Sequence, residues 1–173
     1  MPALQEFLPE QSKARIFSAF DAEGGFYQVS LDEDSTKLTT FWTPLGRYRY
    51  LRMPFGISFA PSVFESTLKE YLADLRGVKV IGDDILVVGY GATDAEAQSD
   101  HDRNVTRLLE RATQVNLKLS KSKVKLRKTE VKFISHVISN EGLKPHPDKV
   151  STIKNMPKPT SSSDPSWLCQ IFV

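Results

Sequence analysis

Val78-Lys79-Val80-Ile81-Gly82-Asp83-Asp84-Ile85-Leu86-Val87-Val88 sets two adjacent aspartates between two apolar, β-branched runs. That is the pattern of a β-hairpin with two acids at its tip. Like charges this close repel and raise each other's pKa, and a divalent cation is the usual remedy. A third carboxylate, Asp21, closes another apolar run, Ile16-Phe17-Ser18-Ala19-Phe20. If the two strands are sheet neighbours, three acids meet at strand ends and form a site for a hard metal. Taken alone, paired aspartates are more often simple turn residues.

Outward from the hairpin, the period of the apolar residues changes. Phe64, Leu68, Leu72 and Leu75 recur at helical spacing, which predicts a helix over 60–75 with Ser58 as cap, Pro61 in its first turn and Gly77 as its stop. Beyond Gly91, the spacing of Val105, Leu108, Leu109, Ala112 and Val115 predicts a second helix, with Asp94 as candidate cap. Phe26 to Leu31 reads as a strand after the Gly24-Gly25 turn, and the acid-rich Asp32 to Ser35 segment leads to a hairpin of 38–42 with 47–51 that carries arginines on one face. Leu117, Leu119, Val124 and Leu126 resume alternation, and 131–138 reads as one strand that turns at 140–142 toward Leu143. Asp148 caps a short helix ended by Pro157 and Pro159, and 160–165 reads as linker. The expected class is α+β, an antiparallel sheet backed by two helices.

Composition narrows the function classes. With 173 residues, 40% of them hydrophobic, the chain has room for one domain, or one domain and a fragment. A net charge of +2 does not suggest nucleic acid by itself, but the cations cluster. Lys118, Lys121, Lys123, Lys125, Arg127, Lys128 and Lys132 face only Glu130, and Arg47, Arg49 and Arg52 form a second group. Each run reads equally well as a solvated strand face or as a phosphate-contacting surface. The single cysteine, Cys169, rules out an internal disulfide and fits a reducing, intracellular compartment. His101, His136 and His146 stand apart from each other and from any cysteine, which argues against zinc. No stretch approaches a membrane span, and the first residues do not read as a signal peptide.

Four strings occur in order: Phe20-Asp21-Ala22-Glu23-Gly24-Gly25-Phe26, Met53-Pro54-Phe55-Gly56 through Ala60-Pro61-Ser62-Val63-Phe64, Asp83-Asp84-Ile85-Leu86-Val87, and Phe133-Ile134-Ser135-His136. Together they resemble the reverse transcriptase of gypsy-type LTR retrotransposons. The resemblance covers about residues 4–160. It implies a polymerase palm, ferredoxin-like, with partial fingers over 1–144, the start of a thumb or connection over 145–159, and an unassigned tail over 160–173. It identifies the chain as a truncated copy lacking most of the fingers and thumb, the ribonuclease H and the integrase.

Residue by residue, the resemblance implies that Asp21, Asp83 and Asp84 are catalytic carboxylates holding two Mg²⁺ ions, with Mn²⁺ as an alternative. It makes Phe26 the ring that crowds the sugar 2′ position, with core packing as the alternative role. Phe55, Gly56, Ala60 and Pro61 would line the nucleotide site. Lys123 would stand near the pyrophosphate or be one more solvated lysine, and Phe133, Ile134, Ser135 and His136 would form the primer grip. Arg47, Arg49 and Arg52 would contact nucleic acid. The implied partners are an RNA or DNA template with its primer, and deoxynucleoside triphosphates. The chain departs from the family pattern at Gly82, Phe59, Val124 and Ser135. Two other readings stay in view: a non-catalytic nucleic-acid-binding remnant, and a nucleotide cyclase, against which the Met53 to Phe64 string argues.

Overall fold

The computed structural model describes residues 13–133, 136–145 and 150–151. Its centre is a four-stranded antiparallel sheet in the order β4-β5-β1-β6, built from β1 (Ala14–Asp21), β4 (Val78–Ile81), β5 (Asp84–Tyr90) and β6 (Lys125–Lys128). Strand side chains alternate between faces, so the unbroken apolar run of β5 serves two cores. Leu86 and Val88 join Phe17, Val131, Phe133 and Ile138 on one face. Ile85 and Val87 join Phe20, Leu72 and Leu108 on the other.

The second face is covered by α2 (Ala60–Leu72) and α3 (Asp94–Gln114). The first is covered by a three-stranded sheet of β7 (Glu130–Phe133), β8 (His136–Ser139) and β9 (Gly142–Pro145). A third core of Ala22, Met53, Ala60, Phe64 and Leu68 lies under α2.

Several boundaries differ from the sequence expectation, each for a local reason. Phe26–Leu31 does not form a strand: Gly25–Gln28 is a 3₁₀ turn, closed by Tyr27 N–H to Gly24 O and Val29 N–H to Phe26 O. The acid-rich segment is a helix start, because the Asp32 carboxylate accepts from Ser35 N–H and caps α1 (Glu33–Leu38). The following hairpin is therefore shorter, β2 (Phe41–Thr43) with β3 (Gly46–Tyr48). Arg47 of this hairpin lies over the Trp42 ring, and Arg52, beyond it, donates to the Gln28 carbonyl.

α2 ends at Leu72 and its N-cap is Phe59, with no side-chain cap bond. α3 is capped by Thr93 rather than Asp94, in a capping box with Glu96. Residues 131–138 form two paired strands rather than one, with Phe133 opposite His136 and Val131 opposite Ile138. That reversal sets Val131 and Ile138 against each other over the central sheet, so pairing across the two strands, not continuation of one, buries both. The Asp148-capped helix start, nearly all of 145–159 and the 160–173 tail lie outside the described residues.

Candidate active site

The β4–β5 hairpin closes through Gly82 and Asp83, and Gly82 takes φ 63°. A two-residue hairpin turn needs positive φ at a central position, which a glycine supplies at little cost. Gly82 is thus the residue that lets β4 and β5 pair up to Ile81 and Asp84. β5 also pairs with β1, and the register sets Asp21 directly opposite Asp84. Directly opposed residues share a sheet face, here the face that buries Phe17 and Leu86. Both acids line an open groove of about 340 Å³ with Ser122, Lys123, Lys125 and Lys132.

Asp83 stands on the exposed turn and is not among the groove's lining residues. As placed, the three acids do not form a ready metal cluster, since among the described residues no group of three or more His, Cys, Asp or Glu side chains is arranged to hold a metal ion, although the charges of Asp83 and Asp21 both act on Asp84. The Asp21 carboxylate instead receives two hydrogen bonds from Lys123 Nζ, at 2.9 and 3.0 Å. This bond raises the Lys123 pKa. Burial, then the charges of Asp83 and Asp21, push the Asp84 carboxyl above the usual carboxylate range. Asp84 is a hard oxygen donor short of positive charge, beside a second such donor. The donor chemistry fits Mg²⁺ or Mn²⁺.

The remaining expected site residues fall in two groups. Phe26 is half-buried, its ring 4.9 Å from Phe55 and 5.8 Å from Phe64, so it packs in an aromatic cluster at the start of α2. Phe55 is exposed, Ala60 is fully buried and Pro61 lies in the first turn of α2. The backbone at Gly56 has φ 90°. In the second group, Phe133 is buried beneath the central sheet and His136 is paired to it. Ile134 and Ser135 lie outside the described residues. Arg47 and Arg49 belong to the β2–β3 arm rather than to the groove.

A polar cluster three residues upstream of Asp21 escaped the sequence reading. Ser18 Oγ lies 2.8 Å from His101 Nε2, and His101 Nδ1 lies 3.2 Å from Asp102. Arg127 grips Asp102 through two nitrogens and donates its backbone N–H to Ser18 Oγ. Ser18 and His101 are 0% and 1% exposed, so no substrate reaches this serine. What the cluster does is hold β6. Between Phe17–Lys128 and Ala19–Lys125 the edge strand carries one extra residue, and Arg127 sits there at φ 49°. The only sequence signals were a serine in an apolar strand and a histidine on the inner side of a helix.

A family description matches residues 2–138, that of the reverse transcriptase (RNA-dependent DNA polymerase). The chain belongs to the reverse transcriptase family. It is 32% identical over 166 residues to the retrovirus-related Pol polyprotein from transposon 297 of Drosophila melanogaster, covering 95% of this chain and 15% of that protein. Likeness to the Pol polyprotein from transposon gypsy of the same fly is 30% over 161 residues, covering 92% of this chain and 15% of the other. The chain thus spans about one-seventh of such polyproteins. Among solved structures, a foamy viral protease-reverse transcriptase in complex with dsDNA superposes with a TM-score of 0.74 at 21% identity, over 91% of this chain and 32% of that one. The fold is that of a reverse transcriptase palm, an α+β polymerase architecture. No helix among the described residues is long and apolar enough to cross a membrane.

Proposed function

We propose that this reverse transcriptase region is a template-directed polymerase palm that adds deoxynucleotides to a primer 3′-hydroxyl, copying RNA or DNA. The observation that carries the reading is the register of β1 on β5, which sets Asp21 against Asp84 at the mouth of a groove lined by lysines. Asp21, Asp83 and Asp84 would hold two Mg²⁺ ions, with Asp83 turning in from the hairpin tip. Bound there, the ions would supply charge to lower the pKa of the attacking hydroxyl and to steady the leaving pyrophosphate.

The chain's own residues do the rest. Asp21 and Asp84, opposite each other in register, would hold the cation charge at one point of the groove. Lys123, Lys125 and Lys132 line the groove on the β6 and β7 side and would present ammonium groups to phosphates, with Lys123 as the donor of a hydrogen bond to the leaving group. Phe26, backed by Phe55 and Phe64, presents a ring that excludes a ribose 2′-hydroxyl by volume. The β7–β8 hairpin, with Phe133 anchored in the core, holds the primer end through Ile134, Ser135 and His136. Arg47, Arg49 and Arg52 meet the phosphates of template or primer without reading sequence.

Primer extension on an RNA template with deoxynucleotides and Mg²⁺ tests this reading. Mg²⁺-dependent addition is expected, reduced on the order of 100-fold or more in Asp83→Asn. Equal extension by that variant excludes the assigned role. A second reading, a non-catalytic nucleic-acid-binding remnant, draws on the four exposed residues of β6, three of them cationic. Steeply salt-dependent binding to a primer–template duplex without any extension favours it.

A further inference from the structure

The Lys123–Asp21 pair occupies the carboxylate on which the proposed chemistry depends. Asp21 keeps 18% of its side-chain surface exposed and Lys123 keeps 63%. The lysine belongs to a short turn tied to the acid's own backbone, since Ser120 N–H donates to Asp21 O and Lys123 N–H to Ser120 O. The backbone of the turn is thereby tied to β1, and only the four-carbon stem would have to swing for the ammonium to change partner. An exposed lysine contact on a carboxylate is weak and costs side-chain freedom to maintain. A dication close to the same oxygens would repel the ammonium as well as outbid it.

We propose that Lys123 is a built-in placeholder cation, which neutralises Asp21 in the free protein and is displaced from it by the divalent ion. The displaced ammonium remains in the groove with Ser122, Lys125 and Lys132. That is the side from which phosphates would be met, so arrival of the ion releases a donor for them. One lysine thus has two successive partners, a carboxylate and then a phosphate. This inference rests on the reading of the acid pair as a cation site and adds an order of events to it.

Mn²⁺ titration without nucleotide, followed by the electron paramagnetic resonance of the free ion, tests the exchange on the full chain. The parent, Lys123→Met and Asp21→Asn are compared. Lys123→Met is expected to bind Mn²⁺ about three- to tenfold more tightly than the parent, and Asp21→Asn to lose that binding. Unchanged or weaker binding in Lys123→Met overturns the placeholder role while leaving the cation site standing. Saturable binding absent from both, or untouched by Asp21→Asn, overturns the cation reading itself. A second measurement needs no variant to bind metal. The ammonium nitrogen resonance of Lys123 should be protected from exchange in cation-free protein and lose that protection when Mg²⁺ is added, and protection that survives saturating Mg²⁺ overturns the proposal.

Discussion

Two polar clusters sit three residues apart on β1, and they are built on opposite terms. At Ser18 a hydroxyl and an imidazole are sealed between sheet and α3 and bonded outward to an exposed carboxylate and guanidinium, each to the next. At Asp21 two carboxylates face an open groove with an exposed lysine as counter-charge, and burial and neighbouring acids raise the Asp84 pKa. Buried polar groups that are fully satisfied rigidify a fold, whereas unsatisfied charge at a cleft is free energy held ready for a ligand. The first cluster fixes the edge strand that brings Lys125 to the second. The contrast separates what holds this sheet from what it would be used for.

The largest effect is expected where the sealed cluster is packed. A Cβ on Gly89 would lie 2.3 Å from the Ala97 carbonyl oxygen and 2.5 Å from His101 Cβ. Backbone cannot yield as a side-chain tip can, so Gly89→Ala must push α3 off β5, at a cost of about 3 kcal/mol or more, read by urea denaturation. Stability within about 0.5 kcal/mol of the parent would mean that α3 is not seated against this strand.

Next comes the cluster itself. Ser18→Ala removes the partner of both His101 Nε2 and the Arg127 backbone N–H. Leaving buried groups unpaired costs about 1–3 kcal/mol. Faster amide exchange in Lys125–Lys128 should accompany it, because β6 loses its anchor. A loss of stability with β6 exchange unchanged would separate the cluster from the edge strand.

At the acid end the contrast reverses. A Cβ on Gly82 meets nothing within 4 Å, so its substitution is limited only by φ 63°. Gly82→Ala is therefore expected to cost about 1–2 kcal/mol, less than the change at Gly89. A larger cost would show the hairpin tip to be packed rather than open.

Much of this was legible in the chain. Apolar runs ending in Asp21 and flanking Asp83-Asp84 marked the strands that meet, and helical spacing marked α2 and α3. The failures have a common cause, in that side chains solved local problems that periodicity does not record. Asp32 capped a helix in an acid-rich segment read only as leading to a hairpin, Thr93 took the cap from its neighbour Asp94, and Phe133 paired with His136 within a stretch read as one strand. Within the site, pairing of Asp21 with Asp84 follows from strand order, which the pattern left as a condition and the β1–β5 register supplies. The Lys123 contact and the outward position of Asp83 depend on turn geometry that no spacing encodes.

The smallest effects carry the sharpest test, because they differ in sign. Asp84 has a folded-state pKa raised by burial and by its acidic neighbours. Between the ordinary carboxylate pKa and that raised value the folded chain binds the proton more tightly than the unfolded one, so stability falls as pH rises through the window. Asp84→Asn removes the penalty and should stabilise the protein at pH 7 by a few tenths to about 1 kcal/mol, with the gap closing as pH falls toward about 4. Asp102 is the reverse: its hydrogen bonds from Arg127, then His101, hold its pKa below the usual range. Its contribution is present above the unfolded-state pKa and is lost as pH falls through the folded one. Asp102→Asn should therefore destabilise at pH 7 by at most about 1 kcal/mol, and that gap too should close in acid. Denaturant titrations of both variants at neutral and acid pH decide the matter. If Asp84→Asn destabilises at pH 7 as Asp102→Asn does, the acid end is a structural cluster like its neighbour, and the groove holds no unsatisfied charge for a cation to relieve.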